Sequence, residues 1–253
     1  AGMTMSVYNL ISQYILIIGS IVALVFLAVA GNEKRAAAGL TRQNWKSAVL
    51  IVLAFVGIYI VRTVVSVAVQ GVSDGSGMQY VKEWAAMFKN PMMWLNIAAL
   101  PINYFFVFIA FFGEEYGWRY YLQPVLQKRF GLRAGVIILG VVWGLWHIPD
   151  DLFYYTQTSG IQMIFAQQIT CISLGIFFAY AYMKTQNIWV PVCLHYLNNN
   201  LIPIISGTFS ADVLENQTVS WKDLPVALVL NGLCFGFFLL ADVFKKKEVQ
   251  EEE

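Results

Sequence analysis

Two glutamates and an arginine, Glu114, Glu115 and Arg119, interrupt the aromatic run FFGEEYGWRYYLQ at residues 111–123, and the only histidines, His147 and His195, follow on later apolar stretches. A carboxylate beside an imidazole can take a proton from water, which is the opening step of peptide-bond hydrolysis. Glu115 and Arg119 are four apart, so on a helix they share a face and can compensate each other's burial. Glu114 is turned about 100° from that face and lacks such a partner. Gly117 and Trp118 lie three and four positions beyond it, the glycine leaving room for a substrate backbone or a water. His195 and Asn199 are also four apart and project from one face, where two neutral donors would suit a developing oxyanion. Asn198 fits nearly as well, and spacing does not choose between the two. His147 follows Trp143 by one turn, and Pro149 is expected to end its helix. Trp143 is expected to pack around the site.

These groups must be held by membrane-spanning elements. Hydrophobic residues make up 58% of the 253 positions and charged residues 12%, about half the charge of a soluble domain. Apolar runs long enough to cross roughly 30 Å of hydrocarbon occur at 6–30, 47–72, 101–122, 133–148, 160–183, 188–207 and 224–244. The expected fold is an all-α polytopic transmembrane bundle of seven to eight helices. Segment 80–100 is amphipathic at its start and apolar later, which fits either a helix along the interface, the favoured expectation, or an eighth, partly inserted helix. The first run has no basic leading region or cleavage site and reads as a transmembrane helix. The whole chain, 1–253, reads as one integral membrane domain with its motif-bearing core at about 101–207.

The formal charge of +1 conceals an asymmetry. Lys34, Arg35, Arg42, Lys46, Lys128, Arg129, Arg133, Lys184 and Lys245 to Lys247 fall in alternate connections, and the opposite ones hold Lys82, Lys89 and Lys222. The positive-inside rule then puts the N-terminus outside and the C-terminus in the cytoplasm. Asp150, Asp151 and the acidic stretch 212–216 are expected in external loops. Glu114 lies fourteen residues before Lys128, His147 fourteen after Arg133 and His195 eleven after Lys184. At the helical rise these offsets are roughly 21, 21 and 17 Å, one layer near mid-membrane. Ionisable residues at that depth are functional candidates by default. Arg62 and Asp242, nearer span ends, are read as structural. Cys171, Cys193 and Cys234 lie within spans and are read as packing residues without a disulfide framework. Nothing in the chain suits nucleic acid.

The segments EEYGWR, WGLWH and HYLNN, spanning 114–199, resemble the three ordered motifs of the CPBP family, also called Abi or type II CAAX prenyl endopeptidase-like intramembrane proteases. The resemblance implies a glutamate-dependent, metal-independent peptidase with no cofactor, acting on a peptide or protein associated with the lipid bilayer. It implies that Glu114 and His147 activate the water, that His195 and Asn199 hold the oxyanion, and that Glu115 and Arg119 support the site. It thereby favours Asn199, leaving Gly117, Trp118, Trp143 and Asn198 as candidate pocket residues. Trp143 stands where phenylalanine is common. The compact chain resembles bacterial members more than others, which points to a bacterial cell membrane. Two histidines and a glutamate are also a zinc ligand set, although no H-E-x-x-H pair is present. A non-catalytic immunity or regulatory protein of the same family is another class, and a proton-coupled transporter a third, without the repeated halves common in transporters.

Overall fold

The computed structural model describes residues 43–73, 78–207 and 215–245, with Gly75, residues 39–40 and most of 17–31. The expected span 6–30 and the basic residues Lys34, Arg35, Arg42, Lys246 and Lys247 lie largely or wholly outside these. The elements, in order, are α1 (Trp45–Ser73), α2 (Met78–Met87), α3 (Pro91–Glu115), a π-helical turn (Tyr116–Leu122), α4 (Gln123–Phe130), α5 (Leu132–Trp146), α6 (Ile148–Phe153), α7 (Gly160–Thr185), α8 (Trp189–Ser206) and α9 (Asp223–Cys234), followed by short 3-10 turns. Among the described residues all regular structure is helical. The protein is an integral membrane α-helical bundle.

Among the described residues four stretches are long and apolar enough to cross a bilayer: Trp45–Val69, Pro91–Phe130, Leu132–Phe153 and Gly160–Thr185. Their outward faces are apolar, as at Phe105 and Phe106, each 73% exposed, and lipid is the solvent that such a surface fits. The expected span 188–207 is present as α8, but a histidine and three asparagines dilute its apolar character. The expected span 224–244 is interrupted, because α9 ends at Cys234 and the chain tightens into 3-10 turns. Segment 80–100 is not one interfacial element. Asn90 caps the start of α3, accepting from the Met92 N–H, and Pro91 occupies its first turn, a position where a missing amide proton is harmless. The third span therefore begins ten residues before Pro101, which lies inside α3.

Helix α7 is the axis of the bundle. It packs against α1, α5, α6, α8 and α9 and buries Cys171, Leu174, Phe177 and Phe178. Its closest approach is to α5, and two glycines one turn apart permit it. A methyl group on Gly140 would lie 2.6 Å from Ile172 Cα, and one on Gly144 would lie 2.6 Å from the Gln168 side chain. Small residues that let backbones meet are the usual basis of helix association in lipid, where burial in itself adds little. Gly131, at φ +88°, turns the chain between α4 and α5, a backbone region that favours glycine. The second-motif helix is thus held against α7, and the first-motif helix beside α8.

Candidate active site

The first motif straddles a change of helix type. Glu114 and Glu115 end α3, and the π turn follows, its widened winding visible in the Gln123 N–H, which donates to Trp118 O five residues back. Such turns occur often at functional sites. Within this turn Arg119 Nε donates to Glu115 Oε2 at 2.8 Å, with both side chains 0% exposed. The expected ion pair is present, and it has a third member: His195 Nδ1, on α8, donates to Glu115 Oε1 at 2.9 Å. Arg119 also donates from Nη1 to Gly175 O on α7 at 3.4 Å. Its guanidinium sits over the rings of Trp143 at 5.2 Å and Phe178 at 5.4 Å. Four helical elements are tied together through one carboxylate and one guanidinium.

Glu114 points elsewhere. It lines a cavity of about 550 Å³ whose wall also includes Asn103, Phe111, Asp150, Tyr154, Tyr155, Asn199 and Asn200. Its Oε2 is buried and has no hydrogen-bond partner among the described residues. Phe111, on the same wall, meets the His195 ring edge-on at 5.1 Å. The candidate pocket residues Gly117, Trp118, Trp143 and Asn198 lie off this wall. A Cβ on Gly117 would meet nothing within 4 Å, whereas Trp118 and Trp143 belong to the apolar core around Phe55, Cys171 and Phe177.

His147 caps the end of α5, and Ile148 to Phe153 form the short helix α6 with Pro149 in its first turn. Its Nδ1 contacts Trp143 O at 2.9 Å and lies 3.9 Å from Cys171 Sγ. Since a carbonyl only accepts, Nδ1 carries a proton, and in the neutral ring Nε2 then has the lone pair. Trp143 stands between the two histidines, its ring 5.9 Å from His147 and 5.5 Å from His195. The second and third motifs therefore meet the first around one tryptophan.

The asparagine run is ordered by its own contacts. Tyr59 OH on α1 donates to Asn198 Oδ1, and Asn198 Nδ2 donates to Asn199 Oδ1 at 2.9 Å. With its carbonyl engaged, Asn199 has its amide protons left for the cavity. Asn200 is tied back to Tyr196 O at 3.0 Å and to Asn103. Arg62 donates to Asn231 Oδ1 at 2.7 Å, and Asp242 pairs at the surface with Lys245, both structural contacts. Cys171, Cys193 and Cys234 are free thiols.

Sequence reasoning missed four participants: Tyr59, Gly175, Asp150 and Asp151. The aspartates are not an external loop. They lie on α6, where Asp150 lines the cavity and Asp151 is 0% exposed with neither carboxylate oxygen partnered. The usable signal was spacing, because Asp151 is four residues after His147 and its N–H donates to His147 O at 2.9 Å. Among the described residues no three His, Cys, Asp or Glu side chains form a metal-binding group.

Residues 95–201 match the family described as type II CAAX prenyl endopeptidase Rce1-like. A CAAX prenyl protease 2 of Methanococcus maripaludis is 27% identical over 125 residues, which is 46% of this chain and 45% of that protein. Over this central region the chain is similar to CAAX proteases. The match to the archaeal CAAX protease thus spans less than half the length of that relative, and no solved structure matches. The family match encloses all three motifs, from Glu114 to Asn199.

Proposed function

We propose that the protein is an intramembrane endopeptidase that hydrolyses a peptide bond in a membrane-associated peptide or protein, with Glu114 as the group that activates water. The observation that carries this reading is the division of labour between the two glutamates. Both Glu115 oxygens are engaged, while Glu114 faces a cavity with Asn199 opposite and a buried oxygen unpartnered.

Water held by Glu114 and the His147 Nε2 lone pair attacks the scissile carbonyl carbon. Its oxygen bonds to that carbon as one proton passes to Glu114. The carbonyl oxygen becomes an oxyanion and accepts from Asn199 Nδ2 and His195 Nε2. For His195 to donate there as well as to Glu115, it must be the imidazolium. Collapse of the intermediate breaks the C–N bond, and the proton on Glu114 goes to the leaving nitrogen. Hydrolysis of this form needs no bound metal, and the zinc reading would be supported by activity lost to chelation and restored by zinc alone.

The test is comparative peptidomics of membranes from cells expressing the wild type and the Glu114→Ala form. A membrane peptide that is cut in the first and accumulates intact in the second is the expected result. Identical peptide populations, with purified wild type inert on the membrane proteins of the same cells, would favour a non-catalytic role.

A further inference from the structure

Among the described residues eight buried side-chain polar atoms have no hydrogen-bond partner, and apart from Gln123 Oε1 and Asn231 Nδ2 they belong to the three-motif region and the short helix α6 that follows the second motif. Trp118 Nε1, Arg119 Nη2 and Trp143 Nε1 are donors in this state, and Glu114 Oε2 with both Asp151 oxygens are acceptors. Cys171 lies in the same region. Its thiol is within electrostatic reach of Asp151, Arg119 and Glu114 and 3.9 Å from His147 Nδ1. Trp143 shares its apolar cluster, and Trp118 packs against that cluster. Arg119 is fixed over the Trp143 ring at 5.2 Å.

Donors and acceptors are therefore both present, yet none of them bonds directly to another. A buried donor left unpaired costs about 1–3 kcal/mol and a charged group more, and lipid offers no alternative partner. Buried groups of complementary polarity that do not bond to one another are what a small bridging molecule with two to four hydrogen bonds satisfies. These atoms lie off the cavity wall, apart from Glu114, which belongs to both regions.

We propose that Trp118, Arg119, Trp143 and Asp151 bound a buried water site that adjoins the substrate cavity through Glu114, with Asp151 as the positioning residue at its far end. When a substrate fills the cavity and shuts out bulk water, this site supplies the molecule that Glu114 activates. The supply role rests on the hydrolytic reading above, whereas the water binding does not.

X-ray hydroxyl-radical footprinting of the full chain in lipid nanodiscs, in oxygen-18 water and without substrate, tests the water site directly. Radicals formed from bound water oxidise the side chains beside it. Trp143 and Cys171, although buried, are expected to incorporate label faster than the equally buried Phe112 and Phe177 after correction for intrinsic reactivity. Asp151→Leu should lower that labelling about tenfold, the occupancy change for losing one charge-assisted hydrogen bond, and Asp151→Asn should retain most of it. Wild-type labelling no faster than at the two phenylalanines overturns the site, and undiminished labelling in Asp151→Leu overturns the assignment of Asp151. Once a substrate is in hand, Asp151→Leu should lower kcat with KM unchanged and Asp151→Asn should restore it. An unchanged kcat would remove the supply role while leaving the water site standing.

Discussion

Glu115 gives one oxygen to Arg119 at 2.8 Å and the other to His195 at 2.9 Å, whereas its chain neighbour Glu114 has a buried oxygen with no partner and faces a cavity. Both residues end the same helix, yet they belong to different regions. Around Glu115 both carboxylate oxygens are engaged and the guanidinium lies over two aromatic rings with only Nη2 unpartnered, so the buried charge is largely compensated. Around Glu114 the polar capacity is left over. The difference teaches how a membrane protein carries reactive charge: one compensated cluster fixes the helices, and an uncompensated group is placed at its edge, available to a ligand.

If that division is right, mutations on the two sides fail in different ways. The largest loss is expected for Glu114→Ala, which should lower kcat by about 10²–10⁴, the usual range for a general acid–base, while the melting temperature holds or rises because an unpaired buried group is removed. Cleavage rate and thermal melting of the same preparation check this, and full activity would end the proposed mechanism. Next comes Arg119→Ala. It leaves Glu115 buried with one partner, and breaking a buried pair costs about 3–5 kcal/mol, so thermal stability should fall first and activity with it. A variant that melts like the wild type but is inactive would move Arg119 from support into the chemistry.

The sequence made the Glu115–Arg119 pair legible because both partners sit on one helix, where a four-residue spacing is itself a geometric statement. His195 as the third member was not legible, since contact between α3 and α8 depends on packing that no local spacing encodes. The glycines that set such packing, Gly140 and Gly144, become informative only when the opposing helix is known. Four of the spans were readable from apolar length. The span 188–207 was readable as well and is α8, whereas 224–244 was read too long, because the chain tightens into 3-10 turns after Cys234. Asp151 was misplaced for a related reason: charge at a helix end looks like a loop unless the chain folds it inward. Both histidines meet the Trp143 ring, a contact between α5 and α8 that no local spacing encodes.

Two smaller effects sharpen the comparison on the cavity side. Asn199→Ala removes the amide facing the cavity and should lower kcat by about 10²–10³ with little change in KM, as loss of an oxyanion donor does elsewhere. A change confined to KM would assign Asn199 to ground-state binding.

Tyr59→Phe asks whether orientation alone matters. Tyr59 touches neither glutamate through a hydrogen bond, but its hydroxyl holds Asn198, which in turn holds the carbonyl of Asn199. Deleting the hydroxyl frees Asn198 to rotate and relaxes the constraint that points the Asn199 amide into the cavity. One neutral hydrogen bond is worth about 1 kcal/mol, so kcat should fall about fivefold and stability by a similar small amount. Adding the change to Asn199→Ala provides the decisive comparison. If Tyr59 acts only through Asn199, the double variant is no slower than Asn199→Ala alone, since coupled residues do not add. If the two losses multiply, Tyr59 belongs instead to the packing of α1 against α8, on the structural side of the division.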